Sequence, residues 1–291
     1  MLDGALTPGA DERLGRAQGL LFDLDGTLAL GDAQGRGLVA LPNAIDVLAR
    51  FNRAGIPFVV FTNGTLRTPA ETAAELRAAG FALSDEQVMT PSSVAADYFS
   101  EREIAPVLVL GCEGVWRPLA DAGIEVVLPP SYRGGVAAVY VGWYREFTMS
   151  CLEAAFDAVS RGAELFTASN VPFFATATGR AFGTSFAICA MLKALTKKRA
   201  KTLGKPSAEA LKVASRRLGV PIARMAVVGD DPSCEIRLAR YGKALAVGVT
   251  TGVTARAAFE AQKGKLRPDL VIDGVADLAQ VLASNVVSQS L

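Results

Sequence analysis

A short apolar run that breaks off into two carboxylates constrains this chain more than any other stretch. Residues 18–30 read Gln-Gly-Leu-Leu-Phe-Asp-Leu-Asp-Gly-Thr-Leu-Ala-Leu. Leu20, Leu21 and Phe22 suit a buried strand, bounded at once by polar residues. Ligands of open α/β sheets sit in the crevice beyond the carboxyl ends of the strands. A chain that puts Asp23 and Asp25 there, with Gly26 and Thr27 following, is building a charged site rather than core. The two-residue period of a strand would turn both acids to one side. Two like charges that close repel, and a divalent cation relieves them, with Mg²⁺ the best match to hard oxygen ligands. Gly26 permits a turn or a close backbone approach. The plainer alternative is a strand-end turn in which Asp, Gly and Thr cap a helix.

The same alternation continues along the chain. Residues 42–54 carry Ile45, Leu48 and Phe51 at helical spacing, and residues 56–61 form a second apolar strand. Thr68-Pro69-Ala70-Glu71 has the form of a capping box with proline at the first helical position, and Gly80 stops the helix it opens. From about residue 84 a second series begins, with helices expected over 92–101, 113–122 and 149–161 and strands over 107–110, 124–128, 136–141 and 164–167. Residues 168–183 show little periodicity and read as a long loop, a length that tends to be functional. Helical pattern returns over 184–195. Strands then follow at 202–203, 225–228, 244–247 and 270–272. Alternating βα units of this kind predict a Rossmann-like, doubly wound parallel sheet with helices on both faces. Residues 18–83 and 187–291 read as its two halves, residues 84–186 as an inserted smaller α/β domain, and residues 1–17 as a loose tail.

Composition narrows the chemistry. No apolar run approaches the roughly 20 residues needed to span a bilayer, and the N-terminus lacks a signal-peptide core. A net charge of +1 gives no general affinity for nucleic acid or membrane. Cys112, Cys151, Cys189 and Cys234 are widely spaced, as expected of reduced cytoplasmic thiols rather than a disulfide framework or a zinc site. The chain has no histidine. That excludes Ser-His-Asp and Cys-His catalysis and histidine-ligated metals, so proton transfer falls to Asp, Glu, Lys, Tyr or Cys.

Three further segments repeat the opening pattern. The strand at 56–61 delivers Thr62-Asn63-Gly64, whose hydroxyl and backbone N–H groups form a neutral donor set for phosphate oxygens, or else an ordinary Asn-Gly turn. Lys205 lies between Gly204 and Pro206 just before a helix, where a fixed point charge could neutralise a carboxylate or a phosphoryl oxygen; a surface lysine is the plain alternative. The run at 225–229 ends in Asp230-Asp231-Pro232 and supplies the remaining carboxylate of a Mg²⁺ site. Asp231 reads equally as a helix N-cap, and Glu235 could turn inward through a metal-bound water. The basic run Lys197-Lys198-Arg199-Ala200-Lys201 reads as a solvated helix end, with attraction of an anionic substrate the sharper alternative.

Asp23-Leu24-Asp25-Gly26-Thr27, Thr62-Asn63-Gly64, Lys205 and Gly229-Asp230-Asp231, in this order, resemble the four motifs of the haloacid dehalogenase superfamily. The insertion resembles the large α/β cap of its subclass IIA, the NagD-like, p-nitrophenylphosphatase-type branch. The resemblance implies a phosphatase with Asp23 as nucleophile and Asp25 as general acid and base. It implies Mg²⁺ held by Asp23, the Asp25 backbone carbonyl and Asp230, with Asp231 and Glu235 as further candidates. Thr62, the Asn63 and Gly64 amides and Lys205 would bind the phosphoryl oxygens of a small phosphorylated metabolite. A homodimer through the cap is implied as well. Relatives with Thr at the position of Asp25 tend to be phosphoryl-transfer ATPases, so Asp25 favours the phosphatase.

Two features depart from the family pattern. Relatives usually carry Thr-Asn-Pro-Asp where this chain has Ala168-Ser169-Asn170-Val171-Pro172, so either a different, less polar pocket or no tight specificity is expected, with Phe173 and Phe174 as lining or as core. Relatives often have Asp where Glu235 stands. A receiver-like phospho-acceptor module, or a catalytically silent relative kept for binding, are the competing classes. The first explains neither the insertion nor the close acid pair, and the filled catalytic positions argue against the second.

Overall fold

The computed structural model of the chain describes residues 5–31, 37–176 and 179–278. It divides into two compact units, one of Met1–Thr62, Thr72–Met89 and Leu211–Leu291, the other of Asn63–Glu71 and Thr90–Ala210.

The first unit is built on six parallel strands. Their spatial order is Leu270–Ile272, Leu245–Val249, Met225–Gly229, Gly19–Phe22, Phe58–Phe61, Val88–Met89. Numbered within this sheet the order is 6-5-4-1-2-3, the doubly wound arrangement, with its switch point between Gly19–Phe22 and Met225–Gly229. Both strands are buried along their whole length, which is why they read as unbroken apolar runs rather than as alternation. Phe22 stacks on Phe51 with ring centroids 6.1 Å apart and meets Phe58 edge-on at 6.2 Å. Helix Ala44–Arg53 closes this side by burying Ala44, Val47, Leu48 and Phe51, one stripe at helical spacing. In the Asn63–Glu71 segment of the second unit the expected capping box forms, the Thr68 N–H donating to Glu71 at 2.8 Å and the Glu71 N–H to the Thr68 hydroxyl at 3.2 Å.

The segment expected as a loose tail is structured from Ala5. Ala10–Gly15 is a helix whose Ala10 and Leu14 are fully buried in the same core as Phe22 and Leu48. Ala5 bridges to Leu270, and the Leu6 and Thr7 N–H groups donate to the Asp269 carbonyl. Two apolar residues four apart suffice to dock one helical turn, a signal too small to stand out among charged neighbours.

The second unit carries a five-stranded parallel sheet in the order Lys201–Thr202, Glu164–Thr167, Ala138–Val141, Val107–Leu110, Val126–Val127. Helices Pro91–Glu101, Glu113–Asp121, Met149–Ser160 and Thr184–Thr196 accompany it. Leu108, Leu110, Val139 and Val141 pack against Ala155, Val159, Ile188 and Leu192. Phe99 meets Tyr140 and Phe166 edge-on, at 6.0 and 4.9 Å, in a second buried layer. The stretch read as an aperiodic loop contains an antiparallel hairpin, Phe173–Thr176 with Gly179–Phe182. Its paired Phe173 and Phe182 are exposed. Among the described residues no helix is long and apolar enough to cross a membrane.

Candidate active site

The switch point of the six-stranded sheet gathers three acids. Phe22 lies opposite Val228 in the parallel register, and the Asp23 N–H continues the ladder onto the Val228 carbonyl at 2.9 Å. Asp23 and Asp230 therefore follow directly on the carboxyl ends of neighbouring strands. Glu235 joins them from the helical turn Pro232–Ile236. All three are buried, and one carboxylate oxygen from each lies within 4.8 Å of the others. Buried carboxylates are stable only when paired or ligated, and oxygens this close form a donor set for a hard divalent cation.

Glycines make the cluster possible. A Cβ on Gly229 would sit 2.1 Å from Glu235 Cγ, and one on Gly252 would sit 2.0 Å from Asp230 Oδ2. Gly26, at φ +84°, brings its backbone past the same oxygen, to which a Cβ would be 2.5 Å. Only glycine takes that left-handed conformation without strain, which accounts for both the turn and the close approach expected of it. Asp230 Oδ2 also accepts from the Val253 N–H at 2.8 Å, and Glu235 Oε2 from the Asp231 N–H at 3.2 Å. The fully buried Thr27 donates its hydroxyl to Asp23 Oδ2 at 3.3 Å.

Asp25 has different surroundings from Asp23. The strand ends at Phe22, so the two-residue alternation stops before reaching Asp25; Leu24 is buried between the acids while Asp25 is exposed. Thr62, at the end of Phe58–Phe61, donates its hydroxyl to Asp25 Oδ2 at 3.3 Å. Asp231 lies outside the acid cluster. It is the N-cap of Pro232–Ile236, accepting from the Ser233 N–H at 2.7 Å and the Ser233 hydroxyl at 2.8 Å. That is the capping alternative, and its geometry leaves Glu235 as the buried acid of this turn.

Asn63, Gly64 and Lys205 belong to the second unit. Gly64 is exposed, and Lys205 is buried at 1% exposure. The Asn63 carboxamide accepts from the Lys205 N–H at 2.7 Å and donates to the Lys205 carbonyl at 2.9 Å.

The sequence marks Thr27 only as part of its first motif, and it does not mark Gly252 or Val253. The apolar run at 245–249 also stops abruptly, in Thr250-Thr251-Gly252, so the strand-end signal was present a further time. Thr251 donates to the Gly26 carbonyl at 2.6 Å and ties that loop to the acidic one. All four cysteines are free thiols, and none is in the acid cluster. Burial pushes the Cys189 thiol up to about 11 and the Cys112 thiol upward as well.

Residues 20–125 match the family of haloacid dehalogenase-like hydrolases, and residues 202–278 match a second family of the same hydrolase type. Mouse chronophin is 29% identical over 281 residues, covering 92% of this chain and 94% of chronophin. The 5'-nucleotidase YutF of Bacillus subtilis is 27% identical, covering 82% and 89%. The structure of glycerol phosphate phosphatase from Mycobacterium tuberculosis, in complex with magnesium, superposes with a TM-score of 0.79 at 25% identity, covering 93% of this chain and 79% of that one.

Proposed function

The chain belongs to the haloacid dehalogenase-like hydrolases, in their NagD-like subclass IIA, and on that premise we propose that it hydrolyses the phosphomonoester of a small phosphorylated metabolite with Mg²⁺ through an aspartyl-phosphate on Asp23. Relatives named as a 5'-nucleotidase, an acid sugar phosphatase and a glycerol phosphate phosphatase support phosphoric monoester hydrolysis. The observation that carries the finer reading is the buried trio Asp23, Asp230 and Glu235 at the switch point of a chain without histidine.

Asp23 attacks phosphorus, and the bond from phosphorus to the leaving oxygen breaks. Asp25 gives its proton to that oxygen, so the product leaves as an alcohol. As a carboxylate, Asp25 then takes a proton from water; the water oxygen attacks phosphorus, releasing inorganic phosphate and restoring Asp23. The exposure of Asp25 suits a group that must meet both alcohol and water, and the Thr62 hydroxyl orients it. Thr27 holds one oxygen of Asp23 in place for the attack. By the family resemblance the Asn63 and Gly64 amides and Lys205 take the phosphoryl oxygens, donors of the kind that supplies most catalytic stabilisation, while the Thr62 hydroxyl stays with Asp25. Asp23, Asp230 and the Asp25 backbone carbonyl, with Glu235 beside them, would hold Mg²⁺, which when bound would supply positive charge for the transferring group.

The relatives' names range from a nucleotidase to a glycerol phosphate phosphatase, which supports a small phosphorylated metabolite without choosing among sugar phosphates, nucleoside monophosphates, phosphoglycolate, glycerol phosphate and pyridoxal phosphate. Cytoplasmic location, homodimerisation through the inserted domain and the absence of nucleic-acid or membrane partners belong to the same proposal. The test is hydrolysis of p-nitrophenyl phosphate across a Mg²⁺ titration, followed by a panel of phosphorylated metabolites. Activity should vanish with chelator, and Asp23→Asn should lower kcat by about 10⁴-fold or more. Full turnover in chelator, or an active Asp23→Asn, overturns the reading.

A further inference from the structure

We infer that the Asn63 side chain is a positioning residue that sets where the Lys205 ammonium stands, an inference that rests on the phosphatase reading for the task of Lys205. The carboxamide is used at both ends on one residue's backbone. Its oxygen accepts from the Lys205 N–H at 2.7 Å and its nitrogen donates to the Lys205 carbonyl at 2.9 Å, across 142 positions of sequence. A two-point clamp of this kind fixes the rotation of the peptide units on both sides of the Lys205 Cα. It therefore fixes the direction in which the side chain leaves.

The chain around the clamp leaves little freedom to compensate. A Cβ on Gly204 would lie 2.1 Å from the Ala168 carbonyl oxygen, 2.7 Å from Asn63 Oδ1 and 2.9 Å from Pro91 Cγ. The backbone entering Lys205 is thus pressed against three fixed groups, and the one leaving it is restricted by Pro206. The Lys205 side chain itself is 1% exposed, so its ammonium occupies one place rather than sampling solvent. Pattern alone offers Asn63 to the substrate; the hydrogen bonds commit its side chain to Lys205. Thr62, one residue earlier, commits its hydroxyl to Asp25 in the same manner. Consecutive residues of one motif each hold a different working side chain.

The experiment is a double-mutant cycle of Asn63→Ala and Lys205→Met, read by kcat/KM on p-nitrophenyl phosphate and by inhibition with inorganic phosphate. Losing two hydrogen bonds of ordinary strength should lower kcat/KM by about tenfold to a hundredfold in Asn63→Ala. The double variant should fall within about threefold of Lys205→Met alone, because groups that act through one another are not additive. If Asn63→Ala does not fold, Asn63→Asp replaces it in the cycle, being the same size and retaining the acceptor but not the donor. Unchanged kcat/KM in the single variant, or a double variant that loses the product of the two single losses, overturns the inference.

A second readout needs no activity. Acetylation of Lys205 by a water-soluble N-hydroxysuccinimide ester, followed by peptide mass spectrometry, should be on the order of tenfold faster in Asn63→Ala than in the wild-type chain. A wild-type chain that hydrolyses no phosphomonoester, with Lys205 unmasked in Asn63→Ala, defeats the phosphatase reading and leaves the clamp standing. An active wild-type chain with Lys205 equally protected in both forms defeats the clamp.

Discussion

Gly252→Ala adds one methyl group beside the acid cluster, and its effect follows from three distances. The new Cβ would lie 2.0 Å from Asp230 Oδ2, 2.6 Å from its Cγ and 2.7 Å from its Cβ. Gly252 is outside the left-handed region, so alanine carries no conformational penalty there and the clash is the whole perturbation. Contact at ordinary van der Waals distance requires the carboxylate to retreat by about 1 Å or more. That retreat breaks the 2.8 Å bond from the Val253 N–H, a hydrogen bond to a charged group that contributes about 1.5–3 kcal/mol. If Asp230 holds Mg²⁺ as proposed, the same displacement should raise the half-saturating Mg²⁺ concentration by about ten- to a hundredfold, since about 1.4 kcal/mol is a factor of ten. Thermal unfolding in chelator reads the structural part separately, and about 2 kcal/mol in a chain of this size lowers Tm by about 4–8 °C. Gly55→Ala is the control. It places alanine at φ +66° with nothing within 4 Å of the Cβ, so it should cost about 1–2 kcal/mol of stability and leave the Mg²⁺ response unchanged. A Gly252→Ala chain with wild-type Tm and a Mg²⁺ midpoint within twofold would refute the reasoning.

Leu14→Ala empties a fully buried site beneath the N-terminal helix and should destabilise the chain by about 2–5 kcal/mol in urea titration; a loss below about 1 kcal/mol would mean that this segment is not part of the core. Cys189, whose thiol burial raises to about 11, should resist iodoacetamide in the folded chain at pH 8, and peptide mapping that finds it alkylated within minutes would contradict its burial. Hydrogen bonds from Arg161 and then Tyr132 hold the Asp157 carboxyl below the usual carboxylate range. The folded state there binds its proton less readily than the unfolded one, so the contribution is present above about pH 4 and is lost as pH falls through the lowered folded value. The Tm difference between the wild-type chain and Asp157→Asn should accordingly shrink below pH 4, and a difference that widens in acid would reverse the sign of the argument.

Much of the fold was legible because its signals are local. The strands 107–110 and 164–167 were read to the residue, and helices such as Glu113–Asp121 to within one or two, since buried parallel strands are unbroken apolar runs bounded by turn residues. The hairpin of Phe173–Thr176 with Gly179–Phe182 was missed because its sequence shows little periodicity, and the paired Phe173 and Phe182 are exposed. The helix at Ala10–Gly15 was missed because only Ala10 and Leu14 anchor it. Within the site, acids at strand ends marked Asp23 and Asp230, whereas the exposure of Asp25, three residues past the end of its strand, is a difference from Asp23 that the two-residue spacing does not carry.

By itself the sequence determined the class of chemistry: oxygen ligands without histidine, placed by buried strands at one edge of a parallel sheet. Those features depend on residue type and on periodicities of two and 3.6, which a chain carries whatever it folds against. Tertiary structure decided which acids meet. Glu235 joins the cluster because Gly229 leaves room for its side chain, while Asp231 turns to cap its own helical turn. Asn63 meets Lys205 across 142 residues. No local pattern encodes such a meeting, since it exists only once the intervening strands and helices have packed and brought the Asn63 side chain within hydrogen-bond reach of the Lys205 backbone.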